Sequence, residues 1–226
     1  MRNTIWLSIG VLIAGAACSR PVLYYPSPAV ARAGSEPHPV LAGAPAVPAA
    51  TALPANAAAM TDVEYLAARH LVVPVAGADM SKVEDTYLEE RDGGERTHRA
   101  IDILAPRDTP ILSADDGRIL RMSTNSLGGI TMYTVDPLNR LVYYYAHMDH
   151  YNTAMSVGRM ISRGDTLGYV GTTGNAPKDT PHLHFQIMRW PADGKYWNGE
   201  PIDPFEFLGG VRRDRVHHDG PQPVNF

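Results

Sequence analysis

The chain has 226 residues, 44% of them apolar and 19% charged, with a formal net charge of -4. That length allows one ordinary domain plus appendages, and the mildly acidic balance removes the electrostatic case for binding nucleic acid. A single cysteine excludes an internal disulfide.

Arg2 precedes an apolar run from Ile5 to Ala14 and then Gly15-Ala16-Ala17. This is the layout of a secretory signal peptide over residues 1–18, and it is too short to span a bilayer. Cys18 follows directly, a placement that resembles a bacterial lipoprotein processing site, although Gly15 stands where that pattern has a bulky aliphatic residue. Soluble export with cleavage nearby is the other reading. Both send the chain to the cell envelope, as a periplasmic protein or as one tethered to the membrane through Cys18. Residues 19–60 shift to Pro and Ala and offer few large apolar groups, so a disordered linker is expected there. Thr61 with Glu64 three residues on is a capping box, predicting a helical turn that His70 closes. The folded domain is expected over 61–210, followed by a polar tail, 211–226, whose His217 and His218 read as solvated.

Within the domain the periodicity is that of short strands, expected at 71–75, 100–104, 110–114, 118–122, 130–135, 141–147, 166–170 and 182–188. Asp116-Gly117, Gly128-Gly129, Asp136-Pro137, Arg163-Gly164-Asp165 and Gly174-Asn175 supply the turns. Long helical periodicity is absent, so the fold class is mainly β, built as an antiparallel sheet.

Three clusters carry chemistry. His182 and His184 are two apart in a strand-like run, so they share a face. His98 and Asp102, four apart, are placed on one strand parity with Ile101 and Ile103 opposite, and His147 ends the run 141–147. Catalytic zinc takes three protein ligands and leaves a position for water, whereas structural zinc closes all four positions, usually with cysteine. With one cysteine in the chain, the available set is His98, Asp102 and one member of the 182/184 pair. His147 and the other member are left to relay protons or stabilise an oxyanion. Taken singly, each of these residues has a bland reading as a surface pair or a satisfied core histidine. His150 reads as an exposed loop residue, and alternation sends Tyr144 away from Tyr143 and Tyr145.

Together the His98-x-x-x-Asp102, Tyr145-Ala146-His147 and His182-x-His184 motifs, in that order, resemble the lysostaphin-type (LytM-type) zinc endopeptidases, which include murein DD-endopeptidases. The likeness extends through Ala105-Pro106-Arg107-Asp108-Thr109-Pro110-Ile111 and Gly164-Asp165-Thr166-Leu167-Gly168. It implies a half-barrel domain with an open cleft, a Zn2+ ion held by His98, Asp102 and His184, and His147 and His182 as the catalytic histidines. It also implies peptidoglycan peptides as substrate. Two stretches depart from the family pattern: 85–94, where many members carry Phe-Gly-x-Arg and where a loop walling the cleft is expected, and 175–181, where shorter forms place Thr-Gly-Pro. The scissile bond is left open by these departures.

The alternative function is a catalytically silent regulator of other cell-wall hydrolases. Such relatives typically lack ligands, and all five positions are retained here. Segments 110–122 and 164–171 also resemble halves of a biotinyl or lipoyl carrier barrel. A carrier needs a lysine at a hairpin tip, and no lysine lies between Lys82 and Lys178.

Overall fold

The computed structural model describes residues 53–210. The expected signal peptide, Cys18, most of the expected linker, and the tail with His217 and His218 lie outside the described residues. Among the described residues no helix is long and apolar enough to cross a membrane.

Helix α1 (Asp62–Arg69) starts on the predicted capping box: the Thr61 N–H donates to Glu64 Oε2 at 2.8 Å and the Glu64 N–H returns to Thr61 Oγ1 at 3.2 Å. His70 ends it in the left-handed region at φ 50°. The helix buries Tyr65, Leu66 and Arg69. Tyr65 Oη donates to Asp136 Oδ2 at 2.7 Å, and the Arg69 guanidinium grips Asp115 through Nε and Nη2, with neither side chain accessible to solvent. Arg140 reaches Asp62 and the carbonyls of Ala57 and Met60, and Ala57 is buried. Ala57 and Met60, upstream of the expected boundary at 61, therefore also pack on the domain.

Eleven strands follow among the described residues. β1 (Glu90–Arg91) and β2 (Arg96–Thr97) form a small antiparallel hairpin. The main sheet comprises β3 (Ile101–Leu104), β4 (Pro110–Leu112), β5 (Gly117–Asn125), β6 (Gly129–Val135), β7 (Leu141–Tyr151), β8 (Met160–Ile161), β9 (Thr166–Val170), β10 (His182–Arg189) and β11 (Pro201–Ile202). Its backbone order is β11-β10-β7-β6-β5-β8, every pairing is antiparallel, and the sheet stays open. One edge of β10 pairs with β3 and then β11, and the other pairs with β7. The far half of β7 leaves β10 to pair with β9, which also carries β4.

Period-two alternation decides what each face does. Leu183, Phe185 and Ile187 of β10, with Tyr143 and Tyr145 of β7 and Ile101 and Ile103 of β3, point into the core and are at most 1% exposed. Burying each such side chain contributes about 1.5–3 kcal/mol. The opposite face of the same strands carries His184, Tyr144 and Asp102.

The structure departs from expectation at 71–75, which makes only an isolated bridge, Val75 to Ile111. It still runs beside β4, with the Val72 N–H donating to Ala114 O and the Pro74 carbonyl accepting from the Leu112 N–H. Pro74 has no N–H to continue a ladder.

Candidate metal centre

Register builds the centre. Asp102 on β3 lies directly across from His184 on β10, and His184 in turn lies across from Ala146 on β7. His98 reaches the same point by another route than the expected strand parity. It precedes β3, and Arg99, at φ 56°, turns the backbone between them. The His98 and Arg99 N–H groups are tied to the Glu89 and Tyr87 carbonyls at 2.8 Å each.

His98 Nε2 lies 2.9 Å from His184 Nδ1 and 3.2 Å from Asp102 Oδ1, and His184 Nδ1 lies 3.1 Å from the same oxygen. Zinc bonds of about 2.0–2.1 Å in a tetrahedral shell put neighbouring donors roughly 3.3 Å apart, so the spacing of these three atoms suits such an ion. The tautomers agree with that. The Thr86 carbonyl, which can only accept, holds His98 Nδ1 at 3.1 Å, so in the neutral ring the proton sits there and Nε2 presents a bare lone pair. Two imidazoles and one carboxylate around a dication leave a net charge of +1. The donor set present fits zinc.

His147 and His182 flank these donors. Their ring centroids are 4.9 Å apart, His147 is 5.7 Å from His184, and His182 Nε2 comes within 3.9 Å of Asp102 Oδ1. Each is held by a backbone carbonyl at Nδ1, His147 by Thr173 at 2.9 Å and His182 by Thr180 at 2.8 Å. In its neutral form each ring therefore offers Nε2 as a proton acceptor. Strict alternation along β7 would send His147 to the core face with Tyr143 and Tyr145. A bulge prevents this: the β6–β7 register slips between the pairs Ile130–Met148 and Met132–Tyr145, His147 takes φ 60°, and its N–H donates to Gly128 O at 2.7 Å. Bulges of this kind re-aim a side chain, and the left-handed φ is strain held at the site.

Charge follows burial. Burial pushes His147 down to about 4, reinforced by the neighbouring His184 and His182. Burial also pushes His184 down, against the pull of Asp102. Burial would raise Asp102, but hydrogen bonds with His184 and His98 outweigh it and hold the carboxyl well below the usual carboxylate range.

All five residues line one cleft of about 890 Å³. The two stretches that depart from the family pattern wall it, through Thr86, Glu89 and Arg91 on one side and Asn175, Pro177 and Thr180 on the other. Tyr144 lines it too, with its ring 6.0 Å from His184. His150 is exposed, stacks on Tyr169 and lies away from the site, in a surface group with Asp108 and Asp149; Arg107 already engages Asp149 there. Sequence reasoning missed Thr86, Arg91, Thr173 and Thr180. Three of these act through backbone carbonyls, which every residue has.

Residues 96–204 match the model of Peptidase family M23. The chain is 31% identical over 102 residues to the L-Ala--D-Glu endopeptidase of Bacillus subtilis, covering 43% of this chain and 31% of that protein. It is 31% identical over 114 residues to the peptidoglycan DD-endopeptidase ShyC of Vibrio cholerae, covering 49% of this chain and 25% of that one. The chain thus spans a third or less of the length of either relative. The catalytic domain of lysostaphin, the antimicrobial peptidase of Staphylococcus simulans, is 22% identical, with 67% of this chain and 100% of that chain covered at a TM-score of 0.45. Residues 96–204 thus match a domain of peptidase family M23, of the LytM type.

Proposed function

We propose that the protein is a zinc-dependent endopeptidase that hydrolyses peptide bonds in peptidoglycan, with His98, Asp102 and His184 holding the metal and His147 and His182 handling protons. The observation that carries this reading is the convergence of three lone-pair donors within 3.2 Å of one another, beside two further histidines whose Nδ1 atoms are already tied to carbonyls. Bound there, zinc supplies the Lewis acidity that activates water and polarises a carbonyl.

The chain's own residues account for the proton. His147, held neutral at pH 7, can only accept at Nε2 until it is protonated, so it suits the role of base toward the attacking water. The imidazolium so formed is a donor at both nitrogens, able to stabilise an oxyanion and return the proton to the leaving amine. His182, with the same carbonyl-held tautomer, serves as its partner. The relatives' names support a peptidoglycan substrate. The N-terminal pattern of Arg2, the apolar run and Cys18 supports an exported protein of the cell envelope, with a membrane tether at Cys18.

The test is digestion of purified sacculi, with mass analysis of the released fragments and zinc quantified on the same preparation. New peptide termini with about one zinc per chain are expected. Zinc-loaded protein that releases no new termini refutes the hydrolase reading and favours the silent regulator. Protein without zinc affinity refutes the metal assignment.

A further inference from the structure

Asp102 divides its two carboxylate oxygens. Oδ1 faces His98 and His184 at 3.2 and 3.1 Å, and Oδ2 accepts from Arg91 Nη2 at 2.8 Å. The same Nη2 also meets Glu89 Oε2 at 2.8 Å, so one guanidinium is shared between two carboxylates. The hairpin explains the placement: β1 carries Arg91 across from Arg96, and β2 leads through Thr97 into His98, so one short turn delivers both Arg91 and the first donor histidine. The same segment supplies Thr86, whose carbonyl fixes the His98 tautomer and whose Oγ1 accepts from the Asp102 N–H at 3.2 Å.

Two opposed effects follow from a guanidinium at this point. Held on one oxygen, the carboxylate cannot swing about its Cβ–Cγ bond, and the other oxygen stays aimed at the donors, which favours metal binding. A cation this close also repels a dication. Glu89 decides the balance, because it neutralises the guanidinium from the outer side while leaving the grip on Oδ2 intact. We infer that Arg91, balanced by Glu89, is a positioning residue for Asp102 that raises the affinity of the centre for zinc. This rests on the zinc reading above. It gives the 85–94 stretch, expected from the sequence only to wall the cleft, a second task.

The experiment is competition against a chromophoric chelator on the full chain, comparing wild type with Arg91→Ala, Arg91→Lys and Glu89→Gln. Cobalt-substituted absorption spectra report ligand geometry, and circular dichroism of the metal-free proteins reports the fold. Arg91→Ala is expected to weaken zinc roughly 10–100-fold, the range for loss of an outer partner of a ligand. Its cobalt spectrum should be altered and its metal-free fold unchanged. Arg91→Lys should recover part of the affinity, since an ammonium can hold Oδ2 through a single contact. Glu89→Gln, which leaves the cation uncompensated, should also weaken zinc. Unchanged affinity and spectrum in Arg91→Ala overturn the inference while leaving the zinc reading standing. Tighter zinc in that variant also overturns it, because the guanidinium is then only a competing charge. A wild type that binds no zinc overturns both.

Discussion

Gly129 joins the fold to the site, and replacing it with alanine should damage both. It opens β6 at φ 65°, and a Cβ there would land inside the contact distance of Thr173 Oγ1 and of the Thr173 and Gly174 backbone. An L side chain in the left-handed region costs about 1–2 kcal/mol. Forcing a methyl against backbone that cannot rotate away costs about 1–3 kcal/mol more, and the stiffer unfolded chain returns about 0.4–1 kcal/mol. The net loss is therefore about 1–4.5 kcal/mol, or roughly 3–14 °C in Tm at about 3 °C per kcal/mol for a domain of this size. Thr173 is also what holds the bulge. Its hydroxyl accepts from the Ile130 N–H at 2.9 Å and donates to Met148 O at 2.6 Å, and its carbonyl carries His147 Nδ1. If the clash displaces Thr173, His147 moves with it, and an error of that kind lowers turnover by about 100-fold without touching the zinc donors. Urea unfolding, zinc content and cleavage kinetics on one preparation separate the effects. Stability within 1 kcal/mol of wild type and unchanged turnover would show that the strain argument is wrong.

Among the histidines, His184→Ala should lose zinc along with activity, whereas His147→Ala and His182→Ala should keep zinc and lose about 100-fold or more in turnover. Zinc loss in His182→Ala but not in His184→Ala would mean the pair is reversed. In the core, Asp115→Ala leaves the inaccessible Arg69 guanidinium with only the longer 3.5 Å contact to Asp116 Oδ2 and should cost about 3–5 kcal/mol in urea unfolding. The double change Arg69→Met with Asp115→Leu should recover most of that loss; if it does not, the pair is more than a compensated burial. For the metal-free protein, His147 is depressed from 6.5 to about 4, so between those values the unfolded chain binds a proton that the native state refuses. Its contribution is complete above about pH 6.5 and is lost as the pH falls toward 4, up to about 3 kcal/mol. His147→Gln should flatten that decline, and an unchanged slope in the variant would contradict the burial argument.

The parts of the centre that were legible beforehand are those set by strand alternation. His184 and Asp102 meet because each occupies a cleft-facing position on a strand whose partners face the core, and Leu183, Phe185, Ile101 and Ile103 declare that parity in the sequence. The capping box of α1 was legible for a similar reason, since Thr61 and Glu64 are the two side chains that make it. What alternation cannot convey is a break in alternation. Arg99 in the left-handed region takes His98 off the strand, and the bulge at His147 turns a core-side position toward the cleft; both are non-glycine residues at positive φ and carry no local mark. The β1–β2 hairpin was missed because strands of two residues have no period to detect. Residues 71–75 read as a strand by composition, yet Pro74 and a short stretch of pairing reduce them to a single bridge.

These irregularities share a logic. Asp102 on β3 and His184 on β10, the two proposed donors, face each other across a regular antiparallel ladder and need only a register, which the buried face enforces at no further cost, because a one-residue slip would put every apolar side chain in water. A proton acceptor has a different requirement. It must stay neutral and present one bare nitrogen beside the metal, so it needs burial, a carbonyl on its other nitrogen, and a side-chain direction the ladder does not provide. The bulge supplies the direction, Thr173 the carbonyl, and the packed rings of His182 and His184 the burial. On the proposed reading, the strain at His147 is the physical cost of placing a base next to metal donors on the same sheet, and the surrounding hydrogen bonds at Gly128, Thr173 and Met148 are what allow the chain to hold it.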